Sequence, residues 1–262
     1  MRPARFALAT SCLGQPLKPA LTIASRLGAN GVQLDARDEI KPSEMSATGR
    51  RQFLHLLSET GLQLASLDFP LRRRLWDAER LDARLDALKE TMQFAYELKA
   101  RTVTVRLGGL PEESDAAGLA LLGNVLNDLA RHGNRVGVTL AVGPGREPAV
   151  RLSEVLGQVT EGPIGVNFDP ATIVMSAASP TESLQALRQF IAHVMIRDAV
   201  RDLEGGGVEV AVGRGDVPWD ETLALLQETG YGGWLTVDRT QGDDRAGDAG
   251  RAIQFLHSVY RG

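Results

Sequence analysis

The chain has little of what disulfide frameworks, metal clusters and nucleic-acid surfaces require. Its 262 residues include one cysteine and four histidines. A single cysteine excludes an internal disulfide and suits a reducing compartment, so we expect a cytoplasmic protein. The formal net charge of −4 offers no broad positive surface to a phosphate backbone. We therefore expect a small molecule as the ligand and no nucleic-acid partner.

Long apolar runs are also absent. No stretch approaches the roughly 20 apolar residues of a membrane span, so no membrane association is expected. The start of the chain combines basic residues, a short apolar run and Cys12, and so resembles a clipped lipoprotein signal. The apolar run covers only residues 6–9, whereas a secretory signal has about 7–15 apolar residues. We predict that this segment is the first strand of the fold.

Short apolar runs and longer amphipathic stretches alternate along the chain, and no Ser-rich or Pro-rich linker separates them. The predicted strands are residues 5–10, 31–35, 62–68, 102–106, 136–142, 164–168, 191–196 and 233–238. The clearest helix is 81–98, where apolar residues recur every three or four positions. Strand, loop and helix repeated eight times predict an α/β fold, a (β/α)₈ TIM barrel that spans residues 1–262 as one domain.

One face of the predicted strands is polar. Side chains alternate across a strand, so residues of one parity should face the barrel interior. The apolar parity must pack beneath the helices, which leaves the polar parity inside. The polar set is Gln33, Asp35, Arg37, Thr104, Arg106, Asn167, Asp169, His193, Met195, Arg197, Thr236 and Asp238. These side chains either form a ligand pocket or only satisfy one another's hydrogen bonds.

Three strands end on residues that bear directly on chemistry. In PIGVNFDPA, IAHVMIRDA and GGWLTVDRT the tips are Asp169, Met195 and Asp238. In a TIM barrel the carboxyl ends of the strands form the mouth of the active site. Two carboxylates there suit proton transfer or cation binding, whereas a thioether is a poor ligand for a hard divalent ion.

These segments resemble the xylose isomerase-like TIM barrels, a family of sugar isomerases, sugar-phosphate epimerases and endonuclease IV. The resemblance spans nearly the whole chain and is strongest in GVQLDAR, GVNFDPA, HVMIRDA and the stretch from VGRGDVPW to GDDRAGDAGRAIQFL. It implies one divalent metal held by a glutamate, an aspartate, a histidine and a glutamate at strands five to eight. The corresponding residues here are Gly143, Asp169, Met195 and Asp238.

The resemblance implies isomerisation or epimerisation, in which two carboxylates move a proton and the metal polarises a carbonyl. Gly143 provides no ligand, and the Met195 sulfur suits soft ions instead. Asp169 and Asp238 alone would hold an ion weakly, so we expect a weakly bound divalent cation (Mn, Mg, Co or Zn) or none. The alternative is a site shifted inward to recruit His193. The endonuclease branch is excluded because its zinc cluster needs several imidazoles, and three of the four histidines fall in predicted helices.

Four arginines end or follow strands. Guanidinium groups at the mouth would bind a phosphate or carboxylate bidentately. The alternative is a ring of salt bridges with Asp35, Asp169, Asp198 and Asp238. The arginines are Arg37, Arg106, Arg197 and Arg239, and the basic run 72–74 either extends this anion site or lies on a solvated face.

These observations and the resemblance together predict catalytic and substrate-binding residues. The resemblance implies that Asp238 is the base and that it shares the catalytic role with Asp169. The substrate-binding set is Asp35, Arg37, Arg106, Asn167, His193, Arg197, Asp198 and Trp219. Loop 213–219 either forms a lid that places Trp219 against a sugar, or Trp219 is plain core.

Two functions remain open. The first is a sugar or sugar-phosphate isomerase or epimerase whose metal-dependent chemistry is impaired or altered. The second is a metal-free, non-catalytic barrel that binds a polyol, sugar acid or sugar phosphate. The tail helix 244–260 either closes the barrel or makes the contact of a homodimer.

Overall fold

The computed structural model describes residues 4–202 and 206–260. Its strands are β1 (Arg5–Ala9), β2 (Gly31–Asp35), β3 (Gln63–Phe69), β4 (Thr102–Arg106), β5 (Thr139–Gly143), β6 (Ile164–Phe168), β7 (Ile191–Ile196), β8 (Asp198–Arg201), β9 (Gly207–Val210) and β10 (Trp234–Val237). All except β8 and β9 form one closed barrel, in the order β1-β10-β7-β6-β5-β4-β3-β2. Every pairing in the barrel is parallel. The predicted (β/α)₈ TIM barrel is confirmed.

Helices surround the barrel. They are α1 (Leu17–Arg26), α2 (Ala47–Glu59), α3 (Leu81–Glu97), α4 (Ala116–Val136), α5 (Ala149–Gly157), α6 (Pro170–Met175), α7 (Pro180–Leu187), α8 (Trp219–Glu228) and α9 (Arg245–Val259). Side-chain caps begin several of them: the Asp169 and Ser179 side chains accept backbone N–H bonds at the starts of α6 and α7. None of the helices described in residues 4–202 and 206–260 is both long and apolar enough to cross a membrane.

The predicted strand boundaries are confirmed without change for β2, β4, β6 and β7. The predicted start of the fifth strand, at residue 136, is wrong. Val136 is the last residue of α4, and Gly137 ends that helix with a left-handed φ of 80°. The strand begins only at Thr139. The first residues of the apolar run that suggested a longer strand belong to the end of α4 and to its glycine cap.

The hairpin formed by β8 and β9 was not predicted. The two strands pair antiparallel, with Asp198 opposite Val210 and Arg201 opposite Gly207. Each has only four residues, and a glycine-rich stretch hides the second one in the sequence. The hairpin follows β7 directly and lies against α6, so it brings new side chains to the barrel mouth.

The C-terminal helix α9 contacts β1 and β10, the two strands whose pairing closes the barrel. Ala252, Ile253 and Leu256 on this helix are at most 2% exposed. The first of the two predicted roles for the tail, closure of the barrel, is confirmed by this packing. Homodimer formation stays a prediction.

The strand alternation is confirmed. Val32, Leu34, Val103, Val105, Val166 and Phe168 lie beneath the helices with at most 1% exposure. Gln33, Thr104, His193 and Thr236 are buried inside the barrel. The register shifts once between β2 and β3 and once between β6 and β7, and such irregularities re-aim side chains at strand tips.

Candidate functional site

A cavity opens at the carboxyl ends of the barrel strands. Its inner part, of about 110 Å³, is lined by four carboxylates: Asp35, Asp68, Asp169 and Asp238. Its outer part, of about 430 Å³, extends over the tips of β4 to β6 to the hairpin residues Gly206 and Gly207. Arg106, Asn167, Asp169 and Arg197 line both parts. The two parts therefore form one pocket, in the size range of small-molecule sites.

Arg197 is the central cation of the inner cavity. Its Nη1 donates to Asp169 Oδ2 at 2.6 Å, its Nη2 donates to Glu209, and its Nε lies 3.7 Å from Asp238 Oδ2. The residue is 8% exposed. Burial lowers the pKa of Arg197, but the neighbouring charges of Asp169, Asp238 and Glu209 raise it by more, so the net shift is upward. The guanidinium is a permanent positive charge between three carboxylates.

Glu209, on β9, also has several hydrogen-bond partners. Its carboxylate accepts from Arg239 Nη1 at 3.1 Å, from Thr240 N at 2.7 Å and from Thr240 Oγ1 at 2.6 Å. Arg239 in turn donates to Asp248 of α9 at 2.9 Å. Burial raises the pKa of Glu209, but hydrogen bonds from Thr240 and Arg197 lower it by more. The network is therefore a chain of alternating charges that runs from Asp169 to α9.

Asp238 is the least satisfied carboxylate of the site. Its Oδ1 and the Arg197 Nε are buried and, within the described residues, have no hydrogen-bond partner. Burial and the charges of Glu209 and Asp169 raise the pKa of Asp238 to about 6, against the lowering effect of Arg197. An unpaired acceptor beside an unpaired donor is an arrangement that a ligand hydroxyl or carbonyl would complete.

Asp68 is a second cavity carboxylate with a raised pKa, and the sequence analysis did not single it out. Thr104 Oγ1 donates to its Oδ1 at 2.6 Å. Burial nevertheless raises the pKa of Asp68 to about 6. Asp68 lies at the tip of β3 and Asp238 follows β10, three strands apart around the ring of eight. The two carboxylates therefore enter the inner cavity from different sides.

The raised pKa of Asp68 has a consequence for stability. The group titrates at about 6 in the folded chain against an ordinary value of 3.8, so its contribution to stability is full below 3.8 and is lost as pH rises through 6. We expect Asp68→Asn to raise the free energy of unfolding by about 1–3 kcal/mol at pH 8 and to leave it unchanged at pH 3.5. Urea denaturation at the two pH values measures the difference.

Asp77 provides a control, because its substitution should change the free energy of unfolding in the opposite direction. A backbone N–H of Glu79 and the Arg73 side chain lower its pKa, so Asp77→Asn should reduce stability at pH 8. A destabilising Asp68→Asn at pH 8 would contradict the assignment of Asp68 as an uncompensated buried charge.

A layer of neutral polar groups lies beneath the cavity. His193 is 1% exposed, and burial lowers its pKa to about 3. Its Nδ1 is 2.9 Å from Asn167 Oδ1, while its Nε2 lies 2.9 Å from Thr236 Oγ1 and 3.1 Å from Ser66 Oγ. These partners suit a neutral ring with its proton on Nδ1. Both ring nitrogens are occupied, which argues against the inward-shifted metal site.

Asp198 and Trp219 lie outside the cavity. Asp198 is fully buried and accepts from the backbone N–H groups of Gly213 and Gly215 and from Trp219 Nε1. A Cβ on Gly215 would come within 2.2 Å of the Asp198 carboxylate, so the turn requires glycine. Trp219 is 5% exposed and belongs to the hydrophobic core. Of the two predicted roles for Trp219, core packing is the one observed.

The arginines at the strand tips divide into two groups. Arg197 and Arg239 are in salt bridges. Arg37 does not line the inner cavity, donates to Pro70 O and lies over the Phe69 ring. Arg106 is exposed, lines both parts of the cavity and has no carboxylate within salt-bridge distance in the described part of the chain. It is the arginine best placed to receive an anionic group.

The residues at the positions expected for metal ligands do not fit a divalent cation. Gly143 has no ligand atom, and Met195 contributes sulfur. Asp169 is already engaged: Thr172 N and Oγ1 donate to its carboxylate, and so does Arg197. Across residues 4–202 and 206–260 no group of three or more His, Cys, Asp or Glu side chains is arranged to hold a metal. A fixed guanidinium at these carboxylates would also repel a cation.

Comparisons with known proteins agree on one architecture. The family described as "xylose isomerase-like TIM barrel" matches residues 21–259. No curated protein sequence matches the chain. The solved structure of a xylose isomerase domain protein from Planctomyces limnophilus is 24% identical, with a TM-score of 0.86 over 99% of this chain and 98% of the other.

Two further solved structures are more distant. A D-psicose 3-epimerase determined in the presence of D-fructose is 17% identical, with a TM-score of 0.78 over 98% of this chain and 100% of the other. A xylose isomerase-like TIM barrel protein from Mycobacterium smegmatis, in complex with magnesium, is 17% identical, with a TM-score of 0.78 over 99% of this chain and 97% of the other. At these identities the similarity shows the fold alone.

Proposed function

Because the chain belongs to the xylose isomerase-like TIM barrel family, we propose that it is an isomerase or epimerase of a small sugar or sugar phosphate, with chemistry altered from the metal-dependent form. The observation that carries the proposal is the unpaired Asp238 Oδ1 in a barrel-mouth cavity that also contains Asp68. Structural neighbours that include a D-psicose 3-epimerase add support for a carbohydrate ligand.

The reaction needs a base on one side of a sugar carbon and an acid on the other. Asp238 has the free oxygen that can take the proton of a carbon beside a carbonyl. Asp68 enters the same cavity three strands away and would return a proton to the opposite face. Asp35 and Asn167 line the inner cavity as hydrogen-bond partners for the remaining hydroxyl groups.

An anionic end of the substrate would lie in the outer cavity. Arg106 and Arg146 both line it, both are exposed, and neither has a carboxylate within salt-bridge distance among the described residues. Guanidinium groups bind carboxylate and phosphate in a bidentate manner. The divided pocket therefore suits a polyhydroxylated body in the inner part and a phosphate or carboxylate in the outer part.

The test is proton exchange at carbon. The purified protein would be incubated in D₂O with a panel of ketoses, aldoses, sugar acids and sugar phosphates, with and without EDTA. We expect deuterium to enter one carbon position of at least one substrate, detected by ¹H NMR, and the rate to be unaffected by EDTA because the site residues do not fit a metal. Loss of exchange with EDTA would contradict the altered chemistry.

A second function is favoured by a separate observation. Gly143 and Met195 replace two expected ligands, and Arg197 engages the remaining carboxylates. A barrel of this kind can bind a polyol, sugar acid or sugar phosphate without turnover. Calorimetric binding of one of the panel compounds with no deuterium exchange would favour this non-catalytic function over the first. Neither binding nor exchange across the panel would contradict both.

A further inference from the structure

We propose that the Arg197 guanidinium is a built-in cation that takes the place of the divalent ion in this barrel. The inference rests on the proposed function only for the identity of the site, because its test measures cation binding and needs no substrate. Arg197 holds Asp169 by a hydrogen bond of 2.6 Å and faces Asp238 at 3.7 Å. These are the two carboxylates that remain at the expected metal positions.

The charges balance in the same way as in a metal site. A divalent ion with three carboxylates leaves one net negative charge. Here the third carboxylate is absent at Gly143, and the cation is a single guanidinium between Asp169 and Asp238. The net charge is again one negative. The loss of a carboxylate and the exchange of a double for a single positive charge offset each other, which accounts for the missing carboxylate at Gly143. Met195 replaces a neutral histidine and leaves this charge balance unchanged.

Arg197 is held in this position by Glu209, which does not line either part of the cavity in the described residues. Glu209 receives Arg197 Nη2, and Arg239 and Thr240 fix Glu209 in turn. Arg239 balances the charge of Glu209, so this carboxylate anchors the guanidinium without adding net charge to the pair at Asp169 and Asp238. Arg197 is therefore a positioning residue with a preorganised geometry, not a side chain that happens to lie in the pocket.

Gly143 can be replaced with a metal-binding residue, so the inference can be tested by a gain of Mn²⁺ binding. A Cβ at this position would meet Val105 O at 3.6 Å and Arg106 Cα at 3.9 Å, which are ordinary contacts. Its φ lies outside the left-handed region, so a larger residue is compatible with the backbone. Glutamate at position 143 and histidine at position 195 would restore the ligand types that the resemblance implies.

The experiment compares Mn²⁺ binding by calorimetry in three proteins. These are the wild type, the ligand-restored variant Gly143→Glu/Met195→His, and the same variant with Arg197→Ala. We expect no binding in the wild type and weak or no binding in the ligand-restored variant. Removal of Arg197 should then increase Mn²⁺ affinity by at least about 100-fold. The substitution removes a positive charge that repels the ion, and it frees the oxygens of Asp169 and Asp238 to coordinate it.

Two further variants keep the result unambiguous. If the alanine variant does not fold, Arg197→Gln in the same background carries the same expectation, because a neutral amide can still donate to Asp169. Arg50→Gln is the matched control: it removes a partly buried guanidinium that pairs with Glu97 outside the cavity and should leave Mn²⁺ affinity unchanged. Stoichiometric Mn²⁺ binding in the wild type, or equal affinity with and without Arg197, would overturn the inference. Neither outcome depends on whether the protein turns over a sugar.

Discussion

Replacement of Arg197 with methionine is expected to lower the free energy of unfolding by about 3–5 kcal/mol at pH 8, the usual cost of removing one partner from a buried ion pair. The methionine side chain fills much of the same space, so the loss reports charge. Asp169, Glu209 and Asp238 would remain buried without their common cation. Chemical denaturation monitored by circular dichroism measures the change.

The same experiment has an internal check in its pH dependence. In the variant the three carboxylates can neutralise by taking up protons, so the loss of stability should shrink as pH falls towards 4. Arg251→Met is the matched control, because Arg251 pairs with Asp244 and Asp248 at an exposed site with 62% of its side chain accessible. Its effect should stay within about 1 kcal/mol. An Arg197→Met loss as small as that of Arg251→Met would show that the central guanidinium does not hold the site together.

Replacement of Asp238 with asparagine should reduce the rate of carbon-proton exchange by about 10²–10⁴-fold, the range over which general bases contribute. Asparagine keeps the size of the side chain and leaves no carboxylate oxygen to accept the proton. Carbohydrate binding should persist, because the remaining cavity residues are unchanged. Deuterium incorporation followed by ¹H NMR gives the rate, and calorimetry gives the affinity.

The pH profile of the wild type tests the same assignment. Burial raises the pKa of Asp238 to about 6, so the base is protonated below this pH and the exchange rate should rise as pH passes through about 6. Asp82→Asn, at an exposed position in the first turn of α3, controls for loss of a carboxylate elsewhere and should leave the rate unchanged. A full exchange rate in Asp238→Asn would remove Asp238 from the role of base.

Strand positions and inward faces were accessible from the sequence because period-2 alternation is a local property. Gln33, Thr104 and His193 are buried in the barrel because their neighbours Leu34, Val105 and Val194 must lie beneath helices. Asp68 escaped this reasoning. The register between β2 and β3 shifts after Val32, where Leu64 is followed by Ser66 in the pairing, and the alternation along β3 breaks at that point.

The partners of the site residues were not accessible from the sequence. Glu209 reaches Arg197 only because two four-residue strands fold back as a hairpin. Asp198 follows Arg197 directly in the chain and looks like a mouth residue by position. It instead accepts from donors 15 to 21 residues further along the chain. Pairing of this kind depends on how a loop folds in space, which composition and periodicity do not encode.

The hydrogen bonds around Glu209 and Arg197 also determine when the charge network can be completed during synthesis of the chain. Arg197 leaves the ribosome before Glu209, and Arg239 and Thr240 follow about thirty residues later. The last anchor, Asp248, lies in the final helix. The charge network can therefore be complete only after the C-terminal helix has been made. A chain truncated before α9 would keep every cavity carboxylate and Glu209, but it would lack Asp248, the carboxylate that pairs with Arg239 beside Glu209.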